Sequence, residues 1–252
     1  MRILLVCLTF CACAAEGPKE KTAEIRPGST MDAELHFDRG TALAARGRYT
    51  EAIDAYLKAA DLAPGYTKVQ YNLGNAYVRQ LDYPHAIEAY QRVLALDSTH
   101  VSARHNLAAM YVKQLNYAQA IEEHRKVLAF DPRHMATYYD LSYIYFLRGE
   151  YGEVETLLTE GVRRDSTDAS FHRLLGRMRF KELAFDQAVV ALNRSVELDS
   201  TDAATFTDLA QVEMKRRDYA AAEQAARRAV GLDGFAKEAY FVLSNALKRL
   251  GR

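Results

Sequence analysis

Tyr139, Tyr143, Phe146 and Leu147, with Arg173, Arg177 and Lys181 one 34-residue period further on, are the side chains whose types and spacing could best do chemistry. That chemistry is recognition. Aromatic rings beside guanidinium groups are what binding hot spots are made of, and an exposed apolar strip usually has a partner. The set suits an extended peptide that carries acidic side chains or a C-terminal carboxylate. The same rings could instead fold against one another and stay partly covered.

No reaction is legible beside it. The sequence has no phosphate loop, no G-x-G-x-x-G, no H-E-x-x-H and no cysteine spacing suited to zinc. His100 and His134 hold equivalent positions at repeat ends and are expected as turn residues. His124 stands where Tyr90 stands one period earlier and is expected as a packed core histidine. The expectation is therefore a protein that is not an enzyme, with no cofactor and no metal. Lys plus Arg equals Asp plus Glu at 33 each, which gives no reason to expect a nucleic-acid partner. Cys7, Cys11 and Cys13 are the only cysteines, so everything after them lacks a thiol for disulfide or metal chemistry.

The elements that must position these groups come from a repeat. Thr67–His100 reads TKVQYNLGNAYVRQLDYPHAIEAYQRVLALDSTH, and the pattern returns every 34 residues, from Ala33 to Ala236, with no insertion or deletion. A fixed period of this length marks stacked helical pairs, each touching only its neighbours. In the second copy the first helix is expected near Thr67–Gln80 and the second near Pro84–Leu96, with apolar positions at i, i+3, i+4 and i+7. Asp82 and Pro84 are good helix starters, and Asp97, Asp131, Asp165 and Asp199 close the repeats. Two rows are small so that paired helices can approach. Place eight holds Gly40, Gly74, Ala108, Ser142, Gly176 and Ala210, and place twenty holds Ala52, Ala86, Ala120, Val154, Ala188 and Ala222. Val154, with Leu158 and Gly161 nearby, makes the fourth repeat's second helix the least regular joint.

Leu73-Gly74, Tyr77, Tyr83, Ala86, Tyr90 and Asp97 match the tetratricopeptide repeat pattern, and the sequence resembles that family from Ala33 to its C-terminus. The resemblance implies an all-α, right-handed α-solenoid of six helix-turn-helix repeats (33–66, 67–100, 101–134, 135–168, 169–202, 203–236) and a capping helix over 237–252. Place seven is Leu in every copy but the first, where Arg39 fits an exposed terminal repeat. In the family the inner wall comes from first-helix places two, five, nine, twelve and thirteen. Those rows carry Lys68, Arg79, Lys113, Arg173, Arg177, Lys181, Lys215, Lys248 and Arg249 against Glu34 and Glu238, a cleft of one sign that favours an acidic ligand. The expected partner-binding residues are Tyr71, Arg79, Lys113, Tyr139, Tyr143, Phe146, Arg173, Arg177, Lys181 and Lys215. The two-carboxylate clamp of chaperone-binding relatives is not present, since only Asn72 matches it. Place eleven, Tyr77, Tyr111 and Tyr145, becomes Arg179 and then Glu213, which are expected to pair across the fifth and sixth repeats.

Met1–Ala15 reads MRILLVCLTFCACAA, with an apolar run too short to span a bilayer as a helix. It suits a secretory leader and resembles a bacterial lipoprotein signal, with Cys13 as the acylated residue after residues 1–13 direct export. Plain cleavage near Ala12-Cys13-Ala14 is the alternative. Residues 14–32 read as a flexible tether. The expected protein is a scaffold in the bacterial cell envelope, held to a membrane by a lipid, facing the periplasm and binding a peptide segment of another protein. The alternatives are an assembly lipoprotein of the pilotin type, or a non-catalytic accessory to a glycosyltransferase or cell-wall enzyme.

Overall fold

The computed structural model describes residues 29–252, which form thirteen α-helices and no strand. They are α1 Ser29–Ala45, α2 Tyr49–Leu62, α3 Thr67–Arg79, α4 Tyr83–Leu96, α5 Val101–Lys113, α6 Tyr117–Phe130, α7 Met135–Arg148, α8 Tyr151–Arg164, α9 Ala169–Lys181, α10 Phe185–Leu198, α11 Ala203–Arg216, α12 Tyr219–Leu232 and α13 Lys237–Arg249. From α2 onward, first and second helices each recur in steps of 34 residues. The fold is an all-α helical-repeat solenoid. α1 begins at Ser29, so the last residues expected in the tether are helical; Cys13 and the leader lie outside the described residues. No helix among the described residues is long and apolar enough to cross a membrane.

Local chemistry sets the helix ends. Asp82 accepts a hydrogen bond from the His85 backbone N–H, with Pro84 in the first turn of α4. Asp202 accepts from Ala204 N at 3.0 Å and Thr205 N at 3.2 Å at the start of α11. At repeat ends Asp97, Asp165 and Asp199 each accept from the backbone N–H, 2.9 Å away, and the hydroxyl of the Thr two residues on. Every turn from first to second helix contains one residue with positive φ, always at place fifteen. Gly47 and Gly149 fill it in the first and fourth repeats, but Leu81, Leu115, Leu183 and Arg217 adopt φ of 62°, 59°, 61° and 67°.

The small rows do what their spacing implies. A Cβ added at Gly40, Gly74 or Gly176 would stand 2.6, 2.7 or 2.6 Å from Tyr56 Cδ1, Tyr90 Cε1 or Leu192 Cγ, respectively. Place twenty is fully buried in all six repeats, Val154 included. The second helix of the fourth repeat keeps the same length and spacing as its neighbours; at Gly161 an added Cβ would lie 2.5 Å from Phe171 Cε1, so the ring of α9 rests directly against α8 backbone. Arg39 is exposed, whereas Leu73, Leu107 and Leu141 are buried at the same place. The apolar interior is divided into clusters along the array, the largest running from Ala86 in α4 to Met178 in α9.

Candidate functional site

First helices pack not only on their own partners but on the next first helix, α7 on α9, α9 on α11 and α11 on α13. A continuous wall results. It encloses a cavity of about 260 Å³ lined by Phe146 of α7, Arg177, Phe180 and Lys181 of α9, Leu192 of α10, Asp208, Gln211 and Val212 of α11, and Glu238 of α13. Four successive first helices therefore contribute to one recess.

Arg177 is the central cation of that recess. Its guanidinium carbon lies 5.1 Å from the Phe146 ring centroid and 5.9 Å from that of Tyr143, positions where a ring face attracts a cation. No carboxylate among the described residues lies within salt-bridge reach of Arg177 or Lys181, nor of Arg79, Lys113 or Lys215 in the exposed place-thirteen row. Tyr139 and Tyr143 stack in parallel at 6.3 Å, and Tyr143 continues onto Phe146 at 6.4 Å. The rings thus form a ladder along α7, with Tyr139 also meeting Phe171 edge-on. Leu147 stays exposed beside them.

Other expected positions differ. Phe146 is only 7% exposed, because Tyr143, Tyr151 and Arg177 cover it; it supports the surface rather than presenting itself to a partner. Arg173 is engaged within the fold, its Nε donating to Asp208 Oδ2 at 2.7 Å with Asp202 3.7 Å away. Burial opposes the Arg173 charge, but the charge of Asp208, its hydrogen bond and the charge of Asp202 together outweigh it and hold the guanidinium ionised. The same burial pushes the Asp208 carboxyl up against the pull of Arg173. Tyr71 is half-buried and its hydroxyl accepts from the Asn106 amide at 3.3 Å, within a network that joins Asn75 and Tyr90. Asp208 and Asp140, both at place six, also reach this side, so the wall is less one-sided in charge than the five rows imply.

The expected Arg179–Glu213 pair does not form. Arg179 donates to Glu182 at 2.9 Å and to Glu155 of α8, while Glu213 accepts from Arg216 at 2.8 Å. In the third, fourth and fifth repeats place eleven points back to the preceding second helix. Tyr111 accepts from Gln91 of α4 at 3.1 Å, and Tyr145 from Arg125 of α6 at 2.7 Å, in the same manner.

A second polar cluster lies beneath the wall where α5, α6 and α7 meet. His105, His124 and Asp140 each bring one potential ligand atom to within 4.8 Å of the others. His124 is fully buried, as expected, yet neither ring nitrogen has a hydrogen-bond partner. Burial first, then His105 and His134, holds its imidazole neutral down to about pH 3. Burial also raises the Asp140 carboxyl to about 6.

A TPR repeat model matches residues 40–80, and tetratricopeptide repeat models match residues 67–100, 111–178 and 207–252. The chain is a tetratricopeptide repeat protein. Its repeats build a protein-interaction scaffold. Solved structures similar to this tetratricopeptide array include PilW, a widely conserved type IV pilus biogenesis factor, at 14% identity over 84% of this chain and 98% of that one, TM-score 0.71. Pseudomonas aeruginosa PilF aligns at 14% identity over 86% and 99% of the two chains, TM-score 0.68, and MamA at 20% over 64% and 94%, TM-score 0.61. At these identities the likeness is one of fold. No curated protein matches the sequence.

The repeat register contained a signal for the buried cluster. Places five and twenty-four touch in the first two repeats, as Phe37 on Tyr56 at 5.9 Å and Tyr71 on Tyr90 at 6.0 Å. In the third tetratricopeptide repeat those places are His105 and His124, whose rings meet at 5.4 Å. Asp140 at place six had no such contact pair to announce it.

Proposed function

We propose that this protein is a non-catalytic scaffold that holds an extended, acidic segment of a partner protein along the wall of α7, α9, α11 and α13. One observation carries the reading: Arg177 lies over the Tyr143 and Phe146 rings, with no carboxylate partner among the described residues, in a recess of about 260 Å³ beside exposed Lys181. A carboxylate entering there meets Arg177 and Lys181, with Asp208 and Glu238 on the far side of the recess to set its register, and the Tyr139–Tyr143 ladder offers flat apolar surface for neighbouring side chains. Arg173 serves by keeping α9 and α11 in register.

The cell-envelope setting belongs to the same proposal and rests on the leader sequence, with Cys13 as the acylated residue and the array facing the periplasm. Palmitate labelling that is lost in Cys13→Ser supports the anchor; labelling that persists removes Cys13 from that role. Capture from bacterial envelope membranes, with wild type against the Arg177→Glu/Lys181→Glu variant, tests the wall. At least tenfold weaker capture at unchanged helicity supports the acidic-segment reading, and equal capture removes it.

A second reading, an assembly lipoprotein of the pilotin type, draws support from alignment over nearly the whole of PilW and PilF. Recovery of a secretin subunit favours it. Recovery of a glycosyltransferase or cell-wall synthase favours an accessory role instead.

A further inference from the structure

We propose that His105, His124 and Asp140 form a zinc-binding site at the junction of the third and fourth repeats, where α5, α6 and α7 converge. The ligand atoms already lie within 4.8 Å of one another, and His105 Nε2 is 3.6 Å from Asp140 Oδ2. That gap is too long for a hydrogen bond. It is close to the roughly 3.3 Å edge of a tetrahedron whose nitrogen and oxygen ligands sit about 2.0–2.1 Å from zinc. Small rotations of the Asp140 and His105 side chains close the remaining distances.

The decisive residue is His124. Its ring is 0% exposed, and both nitrogens lack any hydrogen-bond partner. Leaving a buried polar group unsatisfied is unfavourable, and such groups are rare in folded proteins, a bound ion being one explanation for them. A metal bond satisfies the nitrogen that a hydrogen bond does not. The neutral imidazole that burial enforces is also the form that ligates.

The surroundings supply the outer support that metal-bound histidines usually have. Thr137 Oγ1 lies 3.2 Å from His105 Nδ1 and 2.9 Å from His134 Nδ1. With the hydroxyl donating to His134, it accepts from Nδ1–H of His105 and leaves the His105 Nε2 lone pair directed toward Asp140. His134 packs 4.8 Å from the His105 ring and fixes its plane. Two histidines and one carboxylate leave a tetrahedral zinc with one position free. His105 and Asp140 keep 20% and 37% of their side-chain exposure, so solvent reaches the cluster from their side. A spacing search does not find this site, since its ligands come from three separate helices.

The test uses the full-length, tag-free protein stripped with a chelator and titrated with Zn²⁺ by calorimetry, with Co²⁺ absorption as a check on geometry. The expected result is one equivalent bound per chain through this cluster, a higher Tm with zinc, and visible d–d bands of a low-coordinate ion with Co²⁺. Affinity should fall at least tenfold in His124→Leu and in Asp140→Asn, and stay unchanged in His172→Gln. Leu occupies the His124 place in the next two repeats, as Leu158 and Leu192, so that variant suits the packing. Should His124→Leu nevertheless lose helicity, Asp140→Asn and His105→Gln decide. Absence of saturable binding overturns the proposal. So does zinc affinity that is equal in wild type and in the folded variants, which would place the metal outside this cluster.

Discussion

Arg173 Nε donates to Asp208 Oδ2 across 2.7 Å, tying α9 to α11 with one member of the cation set that first-helix register assigns to ligand binding. Arg173→Met should therefore act on stability. It leaves the largely covered Asp208 without its partner, at an expected loss of about 2–3 kcal/mol in urea unfolding. Arg173→Met combined with Asp208→Leu should recover most of it. Arg177→Met, which removes a cation resting on rings, should cost under about 1 kcal/mol.

Gly74 faces the Tyr90 ring so closely that Gly74→Ala places a methyl 2.7 Å from Cε1. Overpacking of this kind should cost about 1–3 kcal/mol. The third, fourth and sixth repeats carry Ala108 with His124, Ser142 with Leu158 and Ala210 with Ala226 at the same two places, so there a larger first residue goes with a smaller second, whereas the fifth keeps Gly176 against Leu192. Gly74→Ala with Tyr90→Leu should then be less destabilising than the two single changes added together, by about 1 kcal/mol or more in a double-mutant cycle.

Leu115 is held at φ 59° with its side chain 72% exposed, and the same turn position is Gly47 and Gly149 in other repeats. The left-handed conformation costs a non-glycine residue about 1–2 kcal/mol. Extra freedom of glycine in the unfolded chain offsets part of that relief. Leu115→Gly should stabilise the protein by about 0.5–1 kcal/mol, visible as a raised urea midpoint with an unchanged m value.

His124 should give the metal-stripped protein a marked acid sensitivity. Its folded pKa of about 3 lies below the usual 6.5, so the unfolded chain binds the extra proton between those values. Stability is fully present above about pH 6.5 and falls as pH drops toward 3, by up to about 1.4 kcal/mol per unit. His105 and His134 face the ring and oppose its protonation, while Asp140, raised to about 6, supplies less negative charge as pH falls. Urea unfolding between pH 7 and 4 should show a shallower decline for His124→Leu than for wild type.

Repeat register made the helices, the small rows and the exposed Arg39 legible, because each follows from one residue's place within a unit copied without slippage. Direction out of the helix was less legible. The shared place of Arg179 and Glu213 suggests a pair between successive repeats, but the Arg179 side chain leans toward the preceding repeat and meets Glu155. Five first-helix rows overstate the wall's positive charge, because Asp140 and Asp208 at place six reach it from the side. The histidine cluster needed two contacts at once: His105 on His124 follows from Tyr71 on Tyr90, whereas Asp140 depends on how α7 leans over α5.

Division of the apolar interior into successive clusters has a consequence for how the array comes apart. The middle is stapled by large side chains such as Tyr138, Phe171 and Met178, while the last cluster rests on Ala210, Ala225, Ala226 and Val242. Less oily surface is hidden per hairpin there, so that extremity is the natural place for the stack to unzip first. A guest lying across α11 and α13 would act as a clasp on the weakest teeth of the zipper, and occupancy of the channel would be felt as rigidity at its far end.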